Sequence, residues 1–181
     1  MTPRVFVDRL ASAEIGETFN QYADSPHLRR RLAGYLAARR ESRVLIVGEA
    51  AGYRGARVSG IPFTSERQLT GVGPAEATAT VVHAVLAELR AEERVMLWNV
   101  VPTHPGTATS NRPPTRAEID AGRTFLAELS NGRLIVPVGR VAHAVIGGDY
   151  VRHPSHGGAK SFRAGLARAL GAAIPDRARR C

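Results

Sequence analysis

Apolar residues along the chain fall into four short runs, each broken off by a polar or glycine-bearing turn. Val44-Leu45-Ile46-Val47 leads to Gly48-Glu49, Val95-Met96-Leu97-Trp98 to Asn99, Leu134-Ile135-Val136-Pro137 to Val138-Gly139, and Tyr150-Val151-Arg152 to His153-Pro154-Ser155. Between these runs the apolar spacing lengthens to that of helices. From Pro26, the positions Leu28, Leu32, Tyr35 and Leu36 share one helical face, with Arg29, Arg30 and Arg31 mostly off it. A second helix is predicted over 74–90, with Pro74 in its first turn and Val81, Val82, Val85, Leu86 and Leu89 on one face. Thr115-Arg116-Ala117-Glu118 has the pattern of a capping box and starts a helix that buries Ile119, Phe125, Leu126 and Leu129, ended by Asn131-Gly132. A short helix over 140–146 and a last one over 159–172, presenting Phe162, Leu166, Ala169 and Leu170, complete the series. Strands alternating with helices predict a four-stranded parallel sheet with crossover helices. In such sheets ligands bind beyond the carboxyl ends of the strands. Glu49, Asn99 and His153, far apart in sequence, are therefore expected in one crevice.

Two long connections, 48–74 and 100–114, are predicted as loops; the first is rich in glycine and the second holds four prolines. Residues 1–25 are weakly patterned and are expected to form an N-terminal arm or lid, and 175–181 a frayed basic tail. A chain of 181 residues is expected to form one domain, 1–181. No apolar run is long enough for a membrane span, and no secretory pattern is visible at the start, so a cytoplasmic protein (nucleoid-associated if bacterial) is expected. The only cysteine is Cys181, which excludes an internal disulfide and a cysteine-ligated metal or iron–sulfur site within one chain. The net charge of +9 favours an anionic partner, although arginines supply nearly all of it and a merely solvated basic surface starts about even.

Several stretches carry chemistry. Gly48-Glu49-Ala50-Ala51-Gly52 lets backbone N–H groups approach a ligand, but it is neither a phosphate-binding P-loop nor a dinucleotide fingerprint, and alone it reads as a plain turn. Phe63, in Gly60-Ile61-Pro62-Phe63, can stack on a base, though loop phenylalanines more often anchor on the core. A buried Asn99 offers donors and an acceptor that match a pyrimidine with a ring N–H beside a carbonyl, as in uracil; the alternative is an amide that only ties down a loop. His153 can donate to a developing anion, although a lone histidine is more often structural. His104, His143, His153 and His156 lack metal-binding spacing, so no metal is expected.

Order and spacing of these motifs, together with Trp98-Asn99-Val100-Val101-Pro102 and the segment from Asn111 to Ile119, resemble the uracil-DNA glycosylase superfamily over about residues 43–170. His153-Pro154-Ser155 is the most specific match, and the likeness is nearest to branches whose first motif reads Gly-Glu-Ala-Pro-Gly. The resemblance implies a three-layer α/β/α fold and an enzyme of DNA base excision repair. Such an enzyme flips uracil or a related deaminated base out of DNA and hydrolyses its glycosidic bond, leaving an abasic site. It implies that Gly48, Glu49, Ala50 and Ala51 hold the base and the attacking water, Phe63 stacks on the ring, and Asn99 reads its edge. His153 would support charge on the leaving base, while Arg152, Ser155, His156, Gly157 and Lys160 contact DNA. Single- or double-stranded DNA is the implied partner of a monomer that needs no cofactor.

Departures from the family pattern qualify these roles. Ala50 stands where an Asp or Asn usually activates water, which leaves Glu49 as the expected carboxylate. Ala51 replaces the usual proline, and Gly52 a tyrosine that excludes thymine in some members, with Tyr53 adjacent. Asn111 replaces a histidine that captures DNA covalently in one branch, so turnover is expected. The usual leucine wedge has no counterpart in His156-Gly157-Gly158-Ala159-Lys160. Two other classes stay open: a relative that binds damaged DNA without cutting it, and a hydrolase of free nucleosides or nucleotides.

Overall fold

The apolar runs form a parallel sheet in the order β2-β1-β3, built from β1 (Val44–Ala50), β2 (Val95–Val101) and β3 (Leu134–Pro137). The computed structural model describes residues 2–173; the basic tail expected at 175–181 lies outside the described residues. Val44 pairs with Val95 on one side and Leu134 on the other, and Gly48 lies beside Asn99. Nearly every position in β1 and β2 is buried, which accounts for runs that are apolar throughout rather than alternating.

The expected fourth strand is absent among the described residues. Residues 150–152 contribute one parallel bridge, Val138 to Val151, in which the Gly139 N–H donates to the Val151 carbonyl at 2.8 Å and the Val151 N–H to Pro137 at 3.1 Å. Pro137 has no N–H to extend the ladder, and Gly139, at φ 88°, turns the chain out of the sheet plane. Pro154 then stops the partner segment.

Alternate residues of β1 divide two helical layers. Leu45 and Val47 face a cluster with α1 (Pro3–Ala11), α2 (Pro26–Ala38), α6 (Arg116–Ser130) and α7 (Arg140–Ile146). Val44 and Ile46 face α5 (Ala77–Glu88) and α8 (Ala159–Ala173). The first connection is not structureless: it holds two short helices, α3 (Ala56–Ser59) and α4 (Glu66–Thr70). Pro74 lies before α5, not within it, and Glu76 is the residue at the N-cap.

The N-terminal segment is part of the core rather than an arm. Thr2 caps α1, and Phe6 packs edge-on against both Trp98 and Phe125, at 5.6 Å between centroids in each pair. Tyr22 is fully buried and its hydroxyl donates to the Gly60 carbonyl at 2.9 Å. The apolar positions of so short a helix are interleaved with exposed Val5 and charged residues, which hides its periodicity.

The capping box at α6 has a second partner. Glu118 accepts from the Thr115 N–H at 2.8 Å and forms a two-pronged ion pair with Arg112, at 2.8 and 2.5 Å. That pairing pulls the Glu118 carboxyl down to about 2, against the opposing effect of burial. One turn later, a Cβ at Gly122 would run into the Val100 carbonyl of β2, so α6 sits closer to the sheet than any larger residue permits. Glu118→Gln should lower stability at neutral pH by about 2 kcal/mol. Because the folded carboxyl titrates below the unfolded one, the difference from wild type should persist above about pH 5 and shrink as pH falls toward 2. Urea unfolding at pH 7 and pH 3 checks this, and an equal loss at both overturns it. Gly122→Ala should cost roughly 1–3 kcal/mol in the same measurement through overpacking.

Candidate active site

At the carboxyl end of the sheet β1 runs on through Gly48, Glu49 and Ala50, and β2 through Asn99. A Cβ on Gly48 would collide with the Phe63 ring and lie 2.9 Å from Asn99 Oδ1. Glycine therefore lets ring and amide meet directly over β1. Asn99 is 3% exposed, and its side-chain amide has no hydrogen-bond partner among the described residues. Phe63 is buried in the left-handed region, at φ 55°, which few aromatic residues adopt.

That conformation is held from three sides. The buried Ser59 hydroxyl donates to the Thr64 carbonyl at 2.6 Å and accepts from the Ile61 N–H at 3.1 Å. Arg31 of α2 donates to the Ser59 carbonyl at 3.0 Å and pairs with Glu66 at 2.6 Å. Tyr22 secures Gly60 from the N-terminal segment.

His153 stands across the opening. Its Nδ1 accepts from the Ser155 N–H at 3.2 Å and lies 2.7 Å from the Ser155 hydroxyl. With Nδ1 as acceptor, the ring proton of the neutral form sits on Nε2, which has no partner among the described residues. Burial, then the nearby charges of His156 and Arg152, push the His153 pKa down, which keeps the ring neutral at neutral pH. The turn that delivers it is tight: a Cβ on Gly158 would strike the His153 carbonyl.

Phe63, Asn99, Ala50 and His153 line a narrow recess of about 40 Å³, which adjoins a trough of about 610 Å³. Glu49, Ala51, Arg152, Ser155 and His156 border the trough, and Gly48 forms the floor beneath Phe63 and Asn99. Gly157 and Lys160 are exposed and border neither space. The Ser155 hydroxyl is engaged with His153 and lies 3.1 Å from His156 Nδ1. Burial raises the Glu49 pKa above the ordinary carboxylate value.

Two residues that the sequence patterns did not single out, Glu76 and Thr78, and two to which they gave no place in the pocket, His104 and Asn111, complete the site. Glu76 and Thr78 line both recess and trough. His104 is fully buried, with Nδ1 2.7 Å from the Ala51 carbonyl and Nε2 2.7 Å from that of Thr107, so it joins the two site loops. Asn111 accepts from the Tyr53 N–H at 2.9 Å and borders the trough. The positions on either side of α5's start carry no motif; only the unusual run of small residues from 71 to 80 marks the place. Among the described residues no cluster of three or more His, Cys, Asp or Glu side chains could hold a metal, and no helix is long and apolar enough to cross a membrane.

The family model described as the uracil DNA glycosylase superfamily matches residues 34–172. No match to a curated protein sequence was found. Among solved structures, wild-type SMUG2 of Pedobacter heparinus is similar in fold, with a TM-score of 0.70 at 14% identity, over 96% of this chain and 98% of that one. With the family model spanning most of the chain, and the fold shared along nearly its whole length, the protein belongs to the uracil-DNA glycosylase superfamily.

Proposed function

We propose that this protein is a monofunctional DNA glycosylase that flips uracil, or a related deaminated base, out of DNA and hydrolyses its N-glycosidic bond. The observation that carries the reading is the recess, where an unpartnered buried amide, an aromatic ring and an imidazole donor meet. In duplex DNA the reacting carbon and the base edge are inaccessible, so the base must leave the stack. The Phe63 ring would stack on it, and the Asn99 amide would bond a ring N–H and the adjacent carbonyl.

Bond cleavage puts negative charge on the base and positive charge on the sugar. Neutral His153, donating from Nε2, would stabilise the base anion by a hydrogen bond already aimed into the recess. Ser155 would serve that step by fixing the tautomer, and the backbone amides of Ala50 and Ala51 would border the reacting atoms. Arg152 and His156, beside the trough, and Gly157 and Lys160, outside it, would meet backbone phosphates. A monomer acting without a cofactor suffices for this chemistry. The alanine at position 50 favours a second reading, a member that holds uracil-containing DNA without cutting it; binding with steep salt dependence and no product would support that one.

An oligonucleotide carrying one deoxyuridine, incubated with the protein in chelator, should accumulate abasic sites. Intact DNA in both single and double strands would sink the proposal for uracil. His153→Ala should slow cleavage by about two orders of magnitude with little change in melting temperature. Asn99→Asp, which places an acceptor against the base carbonyl, should slow uracil release by roughly tenfold or more. Full activity in both variants overturns these roles.

A further inference from the structure

Glu76 lies at the N-cap of α5, and its carboxylate is pressed against the turn that leaves β1. A Cβ on Gly52 would fall 2.6 Å from its Oε1, and one on Gly55 would overlap Oε2. The two glycines thus make room for this one side chain. Glu76 has no side-chain hydrogen bond or ion pair among the described residues, although it is half-buried. Of the residues that line both recess and trough, it is the only carboxylate; Glu49 borders the trough alone.

This position has a chemical meaning if the glycosylase reading holds, and the inference rests on that reading. A base in the recess and a sugar-phosphate chain in the trough put the glycosidic bond where the two spaces meet. A water attacking that bond is helped by a group that can accept its proton, and Ala50 supplies none. We propose that Glu76 is a catalytic residue, the carboxylate that receives a proton from the attacking water. The C1′–N1 bond breaks with its electron pair going to the base, the water oxygen bonds to C1′, and one water proton passes to a Glu76 oxygen. The base anion, held by His153, is protonated from solvent, and Glu76 returns its proton there. Burial raises the pKa of Glu76, which makes its ionised form a stronger base than an exposed carboxylate.

Glu76→Gln and Glu49→Gln are compared with wild type in single-turnover cleavage of the deoxyuridine oligonucleotide. Binding is measured on the uncleavable 2′-fluoro analogue. Glu76→Gln should cleave at least about 100-fold more slowly, with binding within about threefold of wild type. Glu76→Ala should regain part of its lost rate when formate is added, because the vacated space beside Gly52 and Gly55 admits a small carboxylate. An active wild type with Glu76→Gln at full rate overturns the role, and so does a rate loss matched by an equal loss of binding. If Glu76→Gln does not fold, Glu76→Ala decides: rescue by formate supports the role, and full rate without formate overturns it. A wild type that cleaves no deoxyuridine DNA overturns the glycosylase reading itself, and this role falls with it.

Discussion

The site depends on a missing methyl group. Because Gly48 has no Cβ, the Phe63 ring and the Asn99 amide can close over the end of β1. Any side chain at position 48 would push one of them away, and the recess would lose either its stacking face or its polar edge. The glycine stands in a fully buried stretch of strand, where it weakens the sheet locally. A glycine at that position serves close approach rather than strand stability.

Much of the remaining structure serves to hold that approach. Phe63 sits in a strained backbone region, and such a conformation persists only where its surroundings over-determine it. Here the constraint comes from Ser59 within the loop, Arg31 on α2 and Tyr22 in the N-terminal segment. The opposite loop is fixed by Arg112 on Glu118 and by His104 between the Ala51 and Thr107 carbonyls. Two helical layers and the N-terminal segment therefore converge on a few site atoms. The stability of α6, far from the chemistry by sequence, bears on where Asn111 stands.

How much of this was legible in the sequence follows from how far each feature depends on local pattern. The three strands and the helical faces were, because continuous apolar runs and i, i+4 spacing survive any tertiary context. The expected meeting of Glu49, Asn99 and His153 followed in part: His153 shares the recess with Asn99 and the trough with Glu49, but it comes from a segment with one bridge to the end of β3 and not from a strand. The fourth strand did not materialise, because a proline in β3 removes a ladder donor that the apolar pattern does not register. The first helix was hidden by its length, and its burial comes from Trp98 and Phe125, which lie far along the chain. Glu76 was illegible for a related reason. Nothing around it forms a motif, and its place is set by two glycines more than 20 positions earlier.

The carboxylates divide by their partners. Glu118, Glu66, Glu88 and Glu128 each pair with an arginine, and they lie on helices or helix starts that support the fold. Glu49 and Glu76 border the trough and have no cation partner among the described residues, despite a chain with 25 basic side chains. For Glu118 and Glu88 arginine contact lowers the pKa, whereas for Glu49 and Glu76 burial raises it. An arginine against either site carboxylate would hold it in the ionised form and occupy the face that, in the proposed reaction, a sugar cation or a water would reach. Arg140 and Arg152 border the same trough without pairing with either carboxylate, and the missing side chains at Gly52 and Gly55 leave the space against that turn to Glu76. The recess that Glu76 borders is lined by Ala50, Gly52, Ala56 and Thr78 among others, with no arginine in its lining. The small residue at position 50 thus leaves open, beside it, the space in which the carboxylate at the N-cap of α5 is proposed to act.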